Sequence, residues 1–285
     1  MASMKDIKRR KNSVASTQQI TKAMKLVSTV KLQKARQKAE ETTPYFEYMY
    51  NTVCSMLAKA GNIEHPYLKE NGSAKKAIIV ISSNRGLAGG YNSNMFKIVR
   101  DSGLEKDDVV LYTIGHKAAE TLNSRGYYTA KDYSEVMEAP TYADAMVVCK
   151  DVLDAYEAGE IGEIYLAYTH FKNTVTQVPK LMKLLPVVID EEDVKGSDSN
   201  VLMNFEPNEE EALGMIIPKY VTSLVYGALI EAVASENGAR MQAMDNATSN
   251  AEEIISDLTL KYNRARQSSI TQELTEIVAG AEAIS

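Results

Sequence analysis

Ser269-Ile270-Thr271-Gln272-Glu273-Leu274-Thr275-Glu276-Ile277-Val278-Ala279-Gly280-Ala281 closes a stretch that reads as one very long, mostly polar helix, and that reading decides the fold. From about Glu209 to Ala283 the only proline is Pro218, and Gly214, Gly227, Gly238 and Gly280 stand isolated. Single glycines weaken a helix without stopping it. Roughly 75 residues at about 1.5 Å each make a rod of about 110 Å, several times the length of an ordinary globular helix. Leu213, Ile217, Tyr220 and Leu224 recur at three- and four-residue steps. So do Ile254, Leu258, Tyr262 and Ala265, and again Ile270, Leu274, Ile277, Ala281 and Ile284. This is the narrow seam of a coiled coil. Between these runs Ala234, Met241, Met244, Ala247 and Ala251 replace large aliphatics, which predicts only modest packing there. The rod therefore needs a partner helix and a surrounding sleeve.

The partner is at the other end of the chain. Residues from about Ser3 to Ala60 read as a second long helix, with Pro44 as its one interruption. Ile7, Val14, Ile20, Met24, Val27 and Val30 form a sparse apolar stripe, Ser3 fits an N-cap, and Gly61-Asn62 fits a stop. Two long helices flanking a central domain most simply pair as an antiparallel coiled coil. The first is about 20 residues shorter, so about 30 Å of the second is expected to protrude unpaired. The Ser269–Ala281 run falls on that protruding tip.

Charge is unevenly divided. Residues 1–40 carry eleven Lys or Arg against Asp6 and Glu40, a net of +9, so the remainder carries −15 of a chain whose formal charge is −6. A solvated helix face accounts for such charges, and an acidic protein partner is the better functional reading. Nucleic acid is disfavoured, because no aromatic residue interleaves with these cations before Tyr45 and no recognition motif accompanies them.

The middle of the chain alternates strand and helix. Lys76–Ser83 reads as a buried strand, followed by glycines at 86, 89 and 90 and a helix over Ser93–Asp101. Asp108–Thr113 and Tyr127–Lys131 read as strands, Lys117–Ser124 and Tyr142–Ala158 as helices, and Glu163–Phe171 and Thr174–Leu185 as a closing hairpin. The fold class that follows is α/β. A central open, mostly parallel, Rossmann-like sheet domain carries one antiparallel strand, and the terminal helices form the coiled coil. The expected domains are a helix over 1–60, the sheet domain over 75–190, an exposed acidic loop over 191–208 and a helix over 209–285.

Asn84-Arg85-Gly86-Leu87-Ala88-Gly89-Gly90-Tyr91-Asn92 sits where a nucleotide loop would sit. It lacks the G-x-G-x-x-G spacing, no acid closes the second strand, and no phosphate-loop motif occurs. A tight structural turn is the preferred reading, with an anion or nucleotide site as the alternative. His65, His116 and His170 show no metal-ligand spacing and read as ordinary surface or loop residues. Cys54 and Cys149 lie on expected helices without C-x-x-C, which favours a reducing compartment. No catalytic residue, cofactor site or metal site is expected. There is no run of 18 apolar residues and the basic N-terminus does not read as a signal peptide, so direct membrane insertion is not expected.

Three stretches together resemble the gamma-subunit family of the rotary ATP synthase, bacterial type, and the resemblance runs from end to end. Thr17-Gln18-Gln19-Ile20-Thr21-Lys22-Ala23-Met24 is similar to the family's N-terminal helix motif. Arg85–Asn92 is similar to its glycine loop, and Tyr262–Ala281 to its C-terminal signature. Ala88 departs from the cysteine many members carry, and the regulatory cysteine insert of chloroplast members is missing. The resemblance implies a central-stalk rotor that couples ion-driven rotation of a membrane ring to ATP synthesis or hydrolysis on the beta subunits. It implies partners in the alpha and beta subunits of the catalytic ring, the epsilon subunit and the membrane rotor ring of c subunits. It also implies a peripheral place at the cytoplasmic face of the cell membrane. By the same resemblance Met24, with Lys22 and Lys25 beside it, faces an acidic loop of the beta subunit, and Arg266, Gln267, Thr271 and Glu273 touch the beta subunit near the upper end of the shaft. Two other classes remain open on residues alone. A nucleotide-binding enzyme with helical oligomerisation arms would need a working loop at Gly86–Gly90, and a structural coiled-coil adaptor would leave the polar pattern at Arg266–Glu273 without a reason.

Overall fold

Lys76–Ile81 (β1) is the central strand of a five-stranded sheet, because Ala77 through Ile81 are apolar and buried on both faces. The structure, a computed structural model, describes residues 4–59, 65–69, 71–187 and 208–282. β1 pairs in parallel with β2 (Val109–Ile114) and β4 (Glu163–Phe171), and β2 pairs in parallel with β3 (Tyr128–Asp132). β5 (Gln177–Leu185) returns antiparallel beside β4, giving the order β3-β2-β1-β4-β5. The expected strands and their one antiparallel pairing are all present.

Side chains alternate across a strand, so β1 feeds two cores. Ile78 and Val80 pack under α2 (Tyr91–Arg100) and α3 (His116–Ser124), through Met95, Phe96, Val99, Ala118 and Leu122. Ala77, Ile79 and Ile81 face α4 (Tyr142–Glu157), whose N-terminus is closed by a Thr141–Asp144 capping box. That second core also takes in the start of the last helix, α5 (Glu209–Glu282): Leu213, Ile217, Val221, Val225 and Leu229 are almost wholly buried in it. The first half of α5 is thus a core helix of the sheet domain. One 18-residue window of α5 has a mean hydropathy of 1.5, enough by length and composition to cross a membrane, but 61% of that window is buried inside the protein.

Asn208 caps α5 by accepting the Glu211 N–H at 2.8 Å, and Glu209, Glu210 and Glu211 set negative charge on the positive end of the helix. The first helix, α1 (Met4–Lys59), runs through Pro44 without a break. In the turn before the proline, the Thr42 and Thr43 hydroxyls donate to the carbonyls of Lys38 and Ala39. The expected cap at Ser3, the stop at Gly61-Asn62, the acidic loop before Asn208 and the seam position Ile284 lie outside the described residues.

The chain divides into two compact units, Met1–Ser28 with Met241–Ser285, and Thr29–Arg240. Within each, the terminal helices pack antiparallel. In the first, Gln18 bonds Glu252 at 3.0 Å, Thr21 bonds Thr248 at 2.8 Å, and Lys25 bonds Asp245 at 2.6 Å, each step forward on α1 being a step back on α5. In the second, Phe46 meets Tyr226 and Tyr50 meets Tyr220, with ring centroids 6.3 Å apart in both pairs.

The inward face of α1 differs from the expected stripe. Ile20, Val27 and Val30 are 57%, 57% and 52% exposed, whereas Thr21, Ser28, Leu32 and Ala35 are buried. Thr21, Ser28 and Ala35 are small, which lets the helices approach closely, and the Thr21 hydroxyl is answered by Thr248 across the interface. On α5 the inward residue is likewise Ile255 rather than Ile254, in step with Ala251, Leu258, Tyr262 and Ala265.

One ion cluster pins the sheet. Glu163 at the start of β4 lies 3.0 Å from the Lys76 ammonium on β1 and 2.6 Å from that of Lys183 on β5, and accepts the Tyr165 hydroxyl at 3.0 Å. Burial pushes its carboxyl up, but Lys183, Lys76 and Tyr165 together outweigh this and hold it at about 2. A folded value below the unfolded one means stability that is present above about pH 4.5 and lost as pH falls towards 2. Glu163→Gln is expected to cost about 2 kcal/mol at pH 7. In urea unfolding, the gap to the wild type should narrow at pH 3; an equal gap at both pH values would contradict the assignment.

Candidate partner-contact surfaces

Three hydrogen-bonded pairs set the register of the first unit, and that register sets its surface. Counting back along α1 from Thr21 opposite Thr248, Met4 falls opposite Ala265. Among the described residues, Gln267 to the end of α5 therefore has no facing helix. The side chains agree with this: Ile270, Leu274, Ile277 and Val278 are 47–68% exposed. Lacking tertiary support, the tip bonds several of its polar groups along its own length. Thr271 and Thr275 donate to the carbonyls of Gln267 and Thr271 at 2.9 and 2.8 Å, and Gln272 bonds Glu276 at 3.0 Å.

Arg266, Gln267, Thr271 and Glu273 are all exposed on this tip. Glu273 receives the Ser269 hydroxyl at 3.5 Å, while among the described residues the guanidinium of Arg266 and the amide of Gln267 have no side-chain partner. Lys22 is exposed, Met24 half-buried against the seam, and Lys25 half-buried and bound to Asp245. The seven expected contact residues all belong to one compact unit. They form two groups, the α1 group lying beside the paired stretch and the α5 group on the unpaired one.

Around the outer end of α1 the charge is one-sided. Lys5, Lys8, Arg9 and Arg10 are exposed on α1, and the register brings them alongside Lys261, Arg264 and Arg266 of α5. Asp6 and Asp257 are the acids in this stretch. Asp6 bonds Arg9 at 3.1 Å and Asp257 bonds Lys261 at 2.7 Å, leaving a net positive collar.

The glycine loop of the second unit is braced at both ends by the protein itself. Ser83 and Asn92 exchange side-chain bonds at 2.7 and 3.0 Å, and Asn92 also accepts the Ser83 N–H at 3.1 Å. Asn84 accepts the His116 N–H at 3.0 Å and donates to Ser134 O at 2.9 Å. Leu87 and Gly89 take left-handed conformations, with φ of 63° and 56°, to turn the loop. Its Arg85 and Gly86 carbonyls accept from the Arg240 guanidinium of α5 at 3.2 and 3.3 Å. A phosphate cradle needs free backbone N–H groups. Here several N–H groups around the loop are already bonded, and carbonyls face the nearby cation. Titrating ATP or NAD into the chain is accordingly expected to give no binding heat; micromolar binding would overturn the structural reading of this loop.

Among the described residues no cluster of three His, Cys, Asp or Glu is arranged to hold a metal ion. His116 is exposed, while His65, in a turn, and His170, near the hairpin, are held by the fold. His65 is 7% exposed and its Nδ1 accepts the Tyr67 N–H, capping a short 3-10 turn, and burial lowers its pKa. His170 lies 2.6 Å from Glu231 of α5. Both cysteines are buried and neither forms a disulfide, and burial pushes the Cys149 thiol up to about 12, which makes it a poor nucleophile. Arg240, Glu236, Ser235 and Glu231 carried no sequence signal, since each looks like one more polar residue on a polar helix.

Comparison with known proteins bears on the whole chain. A family model described as ATP synthase matches residues 3–284. A protein of Lachnoclostridium phytofermentans named ATP synthase gamma chain is 66% identical over 290 residues, covering 100% of both chains. One of Acetobacterium woodii, named ATP synthase gamma chain, sodium ion specific, is 42% identical over 297 residues, covering 99% of this chain and 98% of its own. Among solved structures, a chain of the Euglena gracilis mitochondrial ATP synthase, described as OSCP/F1/c-ring in rotational state 3, superposes with a TM-score of 0.71. It is 20% identical and the match covers 99% of this chain and 94% of that one, a likeness of fold.

Proposed function

The chain belongs to the ATP synthase gamma-chain family, and from that premise we propose that it is the central-stalk rotor of its own ATP synthase. On this reading α1 and the second half of α5 form a shaft inside a ring of alternating alpha and beta subunits. The sheet domain is its foot, meeting the epsilon subunit and the ring of c subunits. The complex lies at the cytoplasmic face of the cell membrane, with this chain peripheral to the bilayer. ATP is made and hydrolysed on the beta subunits. This chain contributes no catalytic side chain and no cofactor site; its asymmetric surface biases three otherwise identical sites into different states in turn.

The unpaired tip of α5 is the single observation that best supports this. A long stretch of helix with four large apolar side chains exposed and several of its polar groups bonded along its own length fits a surrounding sleeve, not water alone. The positive collar below it suits an acidic partner surface. Arg266 and Gln267, exposed and without side-chain partners among the described residues, are the groups we assign to a hydrogen-bonded catch on the beta subunit. Thr271 and Glu273 complete that catch, and Lys22, Met24 and Lys25 form the lower contact with an acidic loop. Replacing Arg266 and Gln267 together by alanine is expected to reduce ATP turnover of the assembled complex roughly ten-fold or more, at about 1–2 kcal/mol per charge-assisted bond. Unchanged turnover and assembly would defeat the catch. The proposal as a whole is tested by mixing this chain with the alpha and beta subunits of its own source. One copy per ring with restored ATP hydrolysis is the expected result, and a failure to assemble would contradict it.

A further inference from the structure

The strand order reverses between β1 and β4: the chain leaves β1 towards β2 on one side and enters β4 from α4 on the other. In open α/β sheets a ligand sits in the crevice outside the carboxyl ends of the strands at such a point. Those ends here are Ser82–Asn84 after β1 and Thr169–Phe171 of β4, and the segment Glu231–Arg240 of α5 lies against both. On the β4 side, His170 Nδ1 is 2.6 Å from the Glu231 carboxylate, the Phe171 N–H reaches the same oxygen at 3.4 Å, and the Ser235 hydroxyl donates to Thr169 O at 3.0 Å. A Cβ placed on Gly238 would meet the Phe171 ring and the Gln177 amide at 3.5 Å, so the hairpin rests on the bare helix backbone. On the β1 side, Arg240 donates to the two carbonyls of the glycine loop, and Ala88 and Tyr91 bury against Ala239. Glu236 holds Arg240 at 2.7 Å, with both side chains only 12% exposed.

The geometry points to a clamp: the crevice that would take a ligand in this topology grips α5 from two sides, and this grip locks the sheet domain to the helix against rotation about the helix axis. A helix held on one face alone can roll; contacts at Glu231, Ser235, Gly238, Ala239 and Arg240 span more than two turns and more than one face. The torque role rests on the rotor reading above, while the grip itself does not. His170 and Ser235 are positioning residues of one jaw, and Arg240 of the other.

The test uses the full chain, alone and assembled with its alpha and beta subunits. His170→Ala combined with Ser235→Ala is expected to speed hydrogen exchange of hairpin amides 171–177 roughly ten-fold. Gly238→Leu, which wedges the same jaw, should do likewise. In the assembled complex, a bead on the sheet domain should show a broader distribution of stall angles for the variants than for the wild type, at an unchanged rate of ATP hydrolysis by the ring. Unchanged exchange would overturn the clamp. Faster exchange without broadening would reduce these contacts to packing and overturn the torque role. A wild-type chain that never turns in the ring would defeat the rotor reading instead, a result visible before any variant is made.

Discussion

Replacing Leu229 by alanine is expected to destabilise the sheet domain by about 3 kcal/mol or more, whereas the same change at Leu274, on the same helix, should cost less than about 0.5 kcal/mol. Leu229 is fully buried in the core formed by β1, β4, α4 and α5, and its loss leaves a cavity in that core. Leu274 is 57% exposed on the unpaired tip and leaves nothing behind. Denaturant unfolding followed by circular dichroism reads the difference. Equal small effects would mean that α5 rests on the sheet without being part of its core, and the division of this helix into a core half and a protruding half would fall.

A second large effect is expected at Gly115, where alanine should cost about 3–5 kcal/mol and leave little soluble, folded chain. Its φ of 107° is one that L side chains rarely adopt, and a Cβ would stand 2.2 Å from the carbonyl oxygen of Ser82 and 2.7 Å from its hydroxyl. Neither neighbour can retreat cheaply. The Ser82 N–H is bonded to Ile114 O at 2.8 Å, and its hydroxyl donates to Gly115 O and accepts the Ala118 N–H. This glycine thus joins the ends of β1 and β2 to the start of α3. Gly280→Ala is the control: nothing lies within 4 Å of the added carbon, and helix propensity alone should make the change favourable by up to about 1 kcal/mol. A well-folded Gly115→Ala variant with unchanged melting would contradict the close approach.

The sheet was readable in advance because buried parallel strands announce themselves: Ala77-Ile78-Ile79-Val80-Ile81 admits few other interpretations, and the glycines and polar residues around it mark the turns. The two long helices were readable from length and the scarcity of breakers. The inward face of α1 was not. Its large apolar residues, Ile20, Val27 and Val30, point outward, and its seam runs through Thr21 and Ser28, so a reading that follows hydrophobicity selects the wrong stripe. Small hydroxyl residues bury well when two helices approach closely and a partner such as Thr248 answers them, and that partner lies more than two hundred residues away in sequence. The first half of α5 misled in a related way. Its spacing matches a coiled coil, yet most of its buried residues serve the sheet core, a fact decided by tertiary contacts and not by period. Of the contact residues, exposure and the missing helix opposite Gln267 follow from helix lengths that the sequence does give. The role of Arg240 follows only from the folded loop that brings two carbonyls to its guanidinium.

The two halves of α5 have different physical requirements. Where it serves the core it is apolar and immobilised; where it leaves the core it is polar, thinly packed and stiffened by bonds along its own axis. On the rotor reading proposed above, the polar half would turn against its partners with little adhesion. Observing rotation tests this most directly: the chain is assembled with the alpha and beta subunits of its own source, the ring is fixed to a surface, and a bead is attached to the sheet domain through Asp107→Cys on the exposed side of the fold. With ATP supplied, the account predicts continuous rotation of the bead in one direction. ATP hydrolysis by the same complexes with a bead that only fluctuates in place would contradict it.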